Sequence, residues 1–223
     1  MGILDGFKGK VGTVVGAFWK GKKVMRGYNE FAANPRTRSQ RLNRARFGTL
    51  TTMEPAFMPI LRVGLGILAD KRSNTEGNNF VNLNWRAVTA TTPEEVSVNY
   101  STLKVSKGNL PQVNFHTPDF ETEGEVNVTF DSAMGATYAG EDDKVYLFAY
   151  QPDLNQSAMG RPVLRQTGSI SLAVPSTWSG MKVHLYGVVV GKSDTYDPLT
   201  PELGENNFGK VSDTVYVGTG DIA

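Results

Sequence analysis

The second half of the chain carries a series of short apolar runs, "EVNVTF", "KVYLFAY", "SISLAV", "KVHLYGVVV" and "TVYVG", separated by loops that hold Gly, Pro, Asp and Asn. Valine, isoleucine and aromatic residues suit a pleated surface, and short strands joined by such turns build packed antiparallel sheets. "VSVNY" alternates and "LKV" resumes it out of phase, which predicts a bulge or a turn between them. From residue 93 onward the expected fold is an immunoglobulin- or fibronectin-III-like β-sandwich. The chain has no cysteine, so a true antibody-type domain with its inter-sheet disulfide is not expected.

The first 33 residues have a different character. "VGTVVGAFW" and "KKVMRGY" flank "KG" and predict a Gly-rich β-hairpin arm over residues 1–33. Glycines weaken a strand and leave its register loosely fixed. A hairpin this apolar does not hold itself together in water, so it needs a surface to pack on, in its own chain or in a neighbour.

Residues 34–92 read as helical, which makes the fold mainly β with a small α part. In "NPRTRSQRLNRARF", Asn34-Pro35 turns the chain, Thr37 caps a helix, and Gln40 completes a capping box. Arg38, Arg41 and Arg44 fall on one side of that helix, and Phe47 and Leu50 on the other. Arg46 lands inside the apolar stripe, between Leu42 and Leu50, where it needs a carboxylate or carbonyl partner. A second helix is expected after Pro55, with Phe57, Ile60, Leu61, Gly64 and Leu68 at i, i+3, i+4 spacing. A third is expected over 79–88.

Charge is split along the chain. Residues 1–72 hold 14 Lys+Arg and 4 Asp+Glu, a net +10, and residues 73–223 hold 9 and 18, a net −9. A basic end of this kind meets an anion, either nucleic acid or the acidic end of another copy. The start "MGILDGFKGK" has no apolar signal region, and the longest apolar run, near Ile60–Ala69, carries Arg62 and is short for a bilayer span. A soluble protein of the cytoplasm or of a virion is expected.

The motifs of catalysis do not match. "GAFWKGKK" (16–23) has the Gly and Gly-Lys spacing of a P-loop, but Lys23 stands where Ser or Thr would hold magnesium, and a strand-like run follows where a helix should open. His116 and His184 have no ligand pattern beside them, and His184 should point away from the face of Val183 and Leu185, toward solvent or a partner. "EDDK" (141–144) lacks EF-hand spacing, and no GxSxG appears. No enzyme activity, cofactor or metal is expected.

The combination "GILDGFKGKVGTVVGAFWKG", "NPRTRSQRLNRARF", "VNYSTLKVSKGNLP" and "SDTVYVG" resembles an uncharacterised family abundant in Bacteroidota, known mainly as a domain of unknown function. The resemblance runs from Gly2 to about Gly218. It implies the same layout, a hairpin and helices before an immunoglobulin-like domain, and no catalytic residue. Similar "NPRT…Q…R…F" openings occur in phage-encoded proteins, which implies an assembly role.

The expected function is therefore a self-assembling structural subunit, of a phage particle or a bacterial filament. Val11, Val14, Val15, Phe18 and Trp19 would supply the apolar contact. Lys22, Lys23 and Arg26, with the Arg38, Arg41 and Arg44 face, would meet acidic loops of the next copy at Asp119, Glu121, Glu123, Glu141, Asp142 and Asp143. One alternative is a nucleic-acid-binding accessory protein using the basic segment 8–46. Another is a surface- or carbohydrate-binding sandwich with Trp178 and Tyr196 on loops.

Overall fold

The computed structural model describes residues 7–19, 21–31, 36–132, 139–191 and 210–223. The turn expected at Asn34-Pro35 and the loop residue Tyr196 lie outside them. Among the described residues the fold is mainly β with two α-helices. The chain forms two compact units, Met1–Arg41 and Leu42–Ala223. The boundary falls inside the expected helical segment 34–92, and the part of it from Leu42 onward shares a unit with the later strands.

The first unit holds a three-stranded antiparallel sheet of β1 (Gly9–Val11), β2 (Val14–Trp19) and β3 (Lys22–Gly27), in the order β1-β2-β3. Its hairpin pairs Trp19 with Lys22 and Val14 with Gly27. Gly21 turns the chain at φ +75°, a conformation glycine adopts without strain. The P-loop-like run thus belongs to a β-hairpin, with no helix N-terminus to receive a phosphate.

The long helix α1 (Arg38–Lys71) opens with the reciprocal box expected of its sequence. The Gln40 amide N–H donates to Thr37 Oγ1 at 3.3 Å, and the Thr37 N–H donates to Gln40 Oε1 at 3.4 Å. The two helices expected here are one, because α1 runs through Pro55 and Pro59. Each interior proline costs about 3 kcal/mol. Against that, Leu50, Met53, Phe57, Ile60, Leu61, Val63, Leu65 and Leu68 are all buried. Each contributes about 1.5–3 kcal/mol, so burial outweighs the local penalty. By length and composition α1 would also pass for a bilayer span, a test that buried core helices pass too.

Short elements follow: α2 (Glu76–Asn84), β4 (Val88–Ala90), β5 (Val96–Val98), a 3-10 turn at Tyr100–Thr102 and β6 (Asn114–Phe115). The 3-10 turn accounts for the change of phase between "VSVNY" and "LKV". Then come β7 (Glu125–Asp131), β8 (Lys144–Gln151), β9 (Gln156–Met159), β10 (Val163–Leu164), β11 (Ser169–Ala173), β12 (Lys182–Val190) and β13 (Val215–Asp221). One sheet has the order β11-β7-β6. The other has the order β10-β8-β12-β13, with β9 also paired to β8.

The larger sheet is the middle of three layers. Val145, Leu147, Ala149, Val183, Leu185 and Val189 face a core shared with Val126, Val128, Ile170 and Leu172 of the smaller sheet. Their neighbours Tyr146, Phe148, Tyr150, Tyr186, Val188 and Val190 face the opposite way, into a core built with α1. This explains why "VYLFAY" is apolar without interruption: a strand covered on both faces has no solvent side to make polar. Phe57 of α1 is the centre of that second core, with ring centroids 4.5 Å from Tyr150, 5.3 Å from Phe148 and 5.1 Å from Phe80.

Candidate functional site

Strand register sorts the arm residues onto two faces, since paired residues project to the same side. One face carries Val11 beside Val14, Gly16 beside Met25, and Phe18 beside Lys23. Phe7 lies against Gly16 on this face. The other face carries Lys10 and Arg26 flanking Val15, Val24 beside Ala17, and Trp19 beside Lys22.

The predicted contact residues therefore do not form one surface. Val11, Val14, Phe18 and Lys23 share the apolar face, whereas Val15, Trp19, Lys22 and Arg26 share the basic one. Met25 belongs with the first group and Lys10 with the second. Met25 follows from the pairing that a turn at Gly21 imposes, and Lys10 from the β1–β2 pairing across the turn at Gly12. Val11 is 63% exposed, Trp19 50%, Met25 48% and Phe18 43%. The three strands contain no carboxylate. Lys10 Nζ sits 3.5 Å from the centre of the Tyr28 ring, a cation–π contact that holds one cation over an aromatic face.

Arg38, Arg41 and Arg44 are exposed and lie along one side of α1 as expected. Phe47 does not join Leu50 in the core; it is 53% exposed, and Leu50 is fully buried. Arg46 has the carbonyl partner that its place in the stripe demands. Its Nη2 donates to the Trp85 carbonyl, and the guanidinium lies over the Trp85 ring at 4.6 Å.

The acidic residues do not gather into one face either. The loop with Asp119, Glu121 and Glu123 is tied to the start of β7 by the Glu125 N–H on the Thr122 carbonyl and the Val174 N–H on the Gly124 carbonyl. The loop with Glu141 and Asp142 is tied to the other end, through the Gln166 N–H on the Glu141 carbonyl and the Phe130 N–H on the Gly168 carbonyl. β7 spans seven residues at about 3.3 Å each, so roughly 20 Å separates the two loops. Asp143 is not a surface residue at all. It is 3% exposed and pairs with Arg165, itself fully buried, at 3.1 Å. Trp178, expected on a loop to bind sugar, is also fully buried and donates from Nε1 to Gln156 Oε1 at 3.1 Å.

Both histidines have partners within the chain. Exposed His116 meets Asp131 Oδ1 through Nε2 at 3.0 Å, and Asn114 Nδ2 donates to Asp131 Oδ2 at 2.9 Å. These bonds, Asn114's first, hold the Asp131 carboxyl below the usual carboxylate range. His184 points away from Val183 and Leu185, as alternation requires. It stacks on Tyr100 at 4.3 Å between centroids, 18° from parallel, and its Nδ1 shares a hydrogen bond with the Tyr216 hydroxyl at 2.9 Å. Partial burial, aided by the charge of Lys182, pushes the His184 ring below its ordinary value. Burial raises the Tyr100, Tyr150, Tyr186 and Tyr216 hydroxyls, so this cluster is uncharged at neutral pH. Among the described residues no group of three or more His, Asp or Glu side chains is placed to hold a metal.

These surfaces offer binding chemistry: an exposed apolar sheet face, a basic face and a histidine–tyrosine cluster. The family of unknown function DUF6266 matches residues 6–195, most of the chain. The chain belongs to that family. The DUF6266 match takes in the three-stranded arm, both helices and every strand through β12, and ends before β13. No curated protein and no solved structure matches the chain.

Proposed function

We propose that this chain is a non-enzymatic, self-assembling structural subunit, a component of a phage particle or of a bacterial filament. Its two facing sheets are taken as an immunoglobulin- or fibronectin-III-like sandwich, carried on a helix that covers the outer face of the larger sheet. The observation that carries the reading is the apolar face of the arm, on which Val11, Phe18 and Met25 are exposed and Val14 is half-buried. A small sheet with so little of its surface buried is marginal in water and gains stability by covering that face. A second copy supplies the cover, because the split of +10 and −9 along the chain makes each copy's basic part complementary to the rest of its neighbour. Contacts of this head-to-tail kind close into rings or run on as filaments.

Light scattering on nuclease-treated protein over a concentration series tests this. The full chain is expected to grow in mass with concentration, and a chain lacking residues 1–28 to stay at monomer mass. A truncated chain that assembles like the full one would refute the proposal.

The basic face supports a second reading, binding of nucleic acid through the segment 8–46. Lys10, Lys22 and Arg26 lie on one side of the sheet with Trp19, the pairing of cations and aromatic rings that single strands favour. Log affinity falling linearly with log salt would support this reading, and absence of binding to any DNA or RNA at low salt would remove it.

A further inference from the structure

A concavity of about 480 Å³ opens between the β4–β5 hairpin, the 3-10 turn at Tyr100–Thr102 and β12 at His184. Its size falls in the range that small-molecule sites occupy. Its walls are rich in hydrogen-bond donors. Arg86 brings a guanidinium that has no ion-pair or hydrogen-bond partner among the described residues. Asn99 has its Oδ1 occupied by the Ser101 hydroxyl at 2.7 Å, which leaves its Nδ2 to donate elsewhere. His184 has its Nδ1 engaged by Tyr216, which leaves Nε2 as its open ring nitrogen. No carboxylate lines the space.

The scaffold around these groups is tied down. The Asn99 N–H donates to the Ala87 carbonyl at 2.8 Å, and the Tyr186 hydroxyl donates to the Tyr100 carbonyl at 2.9 Å. Tyr100 and His184 both border the space and are stacked on one another, which fixes the two rings. A prepared wall reduces the ordering cost of binding. One lone cation among neutral donors, beside a stacked aromatic pair, matches an oxyanion on a hydroxylated body. The guanidinium takes the anion, the amide and imidazole take hydroxyls, and the rings take sugar C–H groups.

We infer that this concavity binds a small oxyanion borne on a sugar-like body, a sugar acid or a sugar phosphate, with Arg86 holding the anion. The inference is independent of assembly through the arm.

The chain's two histidines make the test clean, since each gives its own imidazole C–H resonance in an NMR titration of the full chain. The probes are glucuronate, glucose 6-phosphate, glucose and inorganic phosphate. Glucuronate or glucose 6-phosphate is expected to shift His184 and leave His116 in place, and glucose to shift neither. A response to glucuronate alone identifies a carboxylate ligand, and one to glucose 6-phosphate alone a phosphate. Arg86→Gln, a change at an exposed side chain whose folding the unmoved His116 signal reports, is expected to weaken binding about tenfold or more. Any of four results overturns the inference: His184 still at about 10 mM of both acidic probes, both histidines shifting together, binding unchanged in Arg86→Gln, or inorganic phosphate binding as tightly as the sugar phosphate.

Discussion

Arg165 Nε donates to Asp143 Oδ2 at 3.1 Å inside the protein, where the two side chains are 1% and 4% exposed. Arg165 also gives Nη2 to the Pro111 carbonyl at 2.7 Å, and Asp143 Oδ2 accepts the Gly140 N–H at 2.9 Å. Removing one member leaves the other charge buried and unpaired. Arg165→Met is therefore expected to cost on the order of 3–5 kcal/mol in urea unfolding. The double variant Arg165→Met with Asp143→Leu removes both charges and is expected to cost less than the single change. A double variant at least as damaging as Arg165→Met would mean that the pair contributes more than its own neutralisation.

Two glycines of α1 give opposite expectations. Glycine inside a helix is about 1 kcal/mol worse than alanine, so Gly→Ala ordinarily stabilises. At Gly48 nothing lies within 4 Å of an added Cβ, and Gly48→Ala should raise the unfolding midpoint by an amount of that order. At Gly64 the added Cβ would run into the Val105 carbonyl and Ser106, on a segment that the Lys107 N–H ties to the Gly64 carbonyl at 3.3 Å. Backbone does not swing aside as a side chain does, so Gly64→Ala should lower stability by about 1–3 kcal/mol. Equal effects at the two sites would show that the chain crossing at Gly64 is loose.

Much of the fold was legible because local chemistry decided it. The Thr37–Gln40 box, the core positions Phe57, Ile60, Leu61, Gly64 and Leu68, and the main later strands each follow from spacing alone. What spacing does not carry is the identity of a neighbour. Pro55 reads as the start of a second helix, since the sheet that rewards an unbroken α1 is more than 80 residues away in sequence. Asp143 looks like Glu141 and Asp142 beside it until Arg165 is brought alongside. In the arm the reverse holds. Alternation from the turn at Gly21 separates Phe18 from Trp19 without any tertiary information, so the two-faced character was available in the sequence.

The displaced titration of His184 predicts how stability depends on pH. The unfolded chain's imidazole titrates near the ordinary value of about 6.5, and the folded one lower. Above the ordinary value both states are neutral and the group contributes no slope. As pH falls below it, the unfolded state takes up a proton that folded His184 refuses, so stability should fall until the lower folded value is passed. Asp131, depressed in the folded state, loses its contribution only at more acid pH, in the carboxylate range, so the two windows are separate. Urea midpoints measured between neutral and mildly acid pH should decline in the native sequence and decline less in His184→Gln. The same slope in both would assign the loss to other groups.

The two faces of the arm sheet would put the proposed self-assembly and the proposed nucleic-acid binding on opposite sides of one short segment. Phe18 and Met25 lie on the face without Lys10, Lys22 and Arg26, so each face can be changed while the other is left intact. Both sets of residues are already exposed, so neither change removes a buried core. If copies associate through the apolar face, Phe18→Asp should abolish the growth of mass with concentration at every salt concentration, because an ionised carboxylate would have to be buried in the contact. Lys22→Glu with Arg26→Glu should instead weaken association most at low salt, where screening is least, and converge on the native behaviour as salt rises. The opposite pattern, in which Phe18→Asp assembles normally and the charge reversal abolishes assembly at all salt concentrations, would move the subunit contact to the basic face. Exposed Trp19 would then be its apolar anchor, and Val11, Val14 and Met25 would be left without a role in assembly.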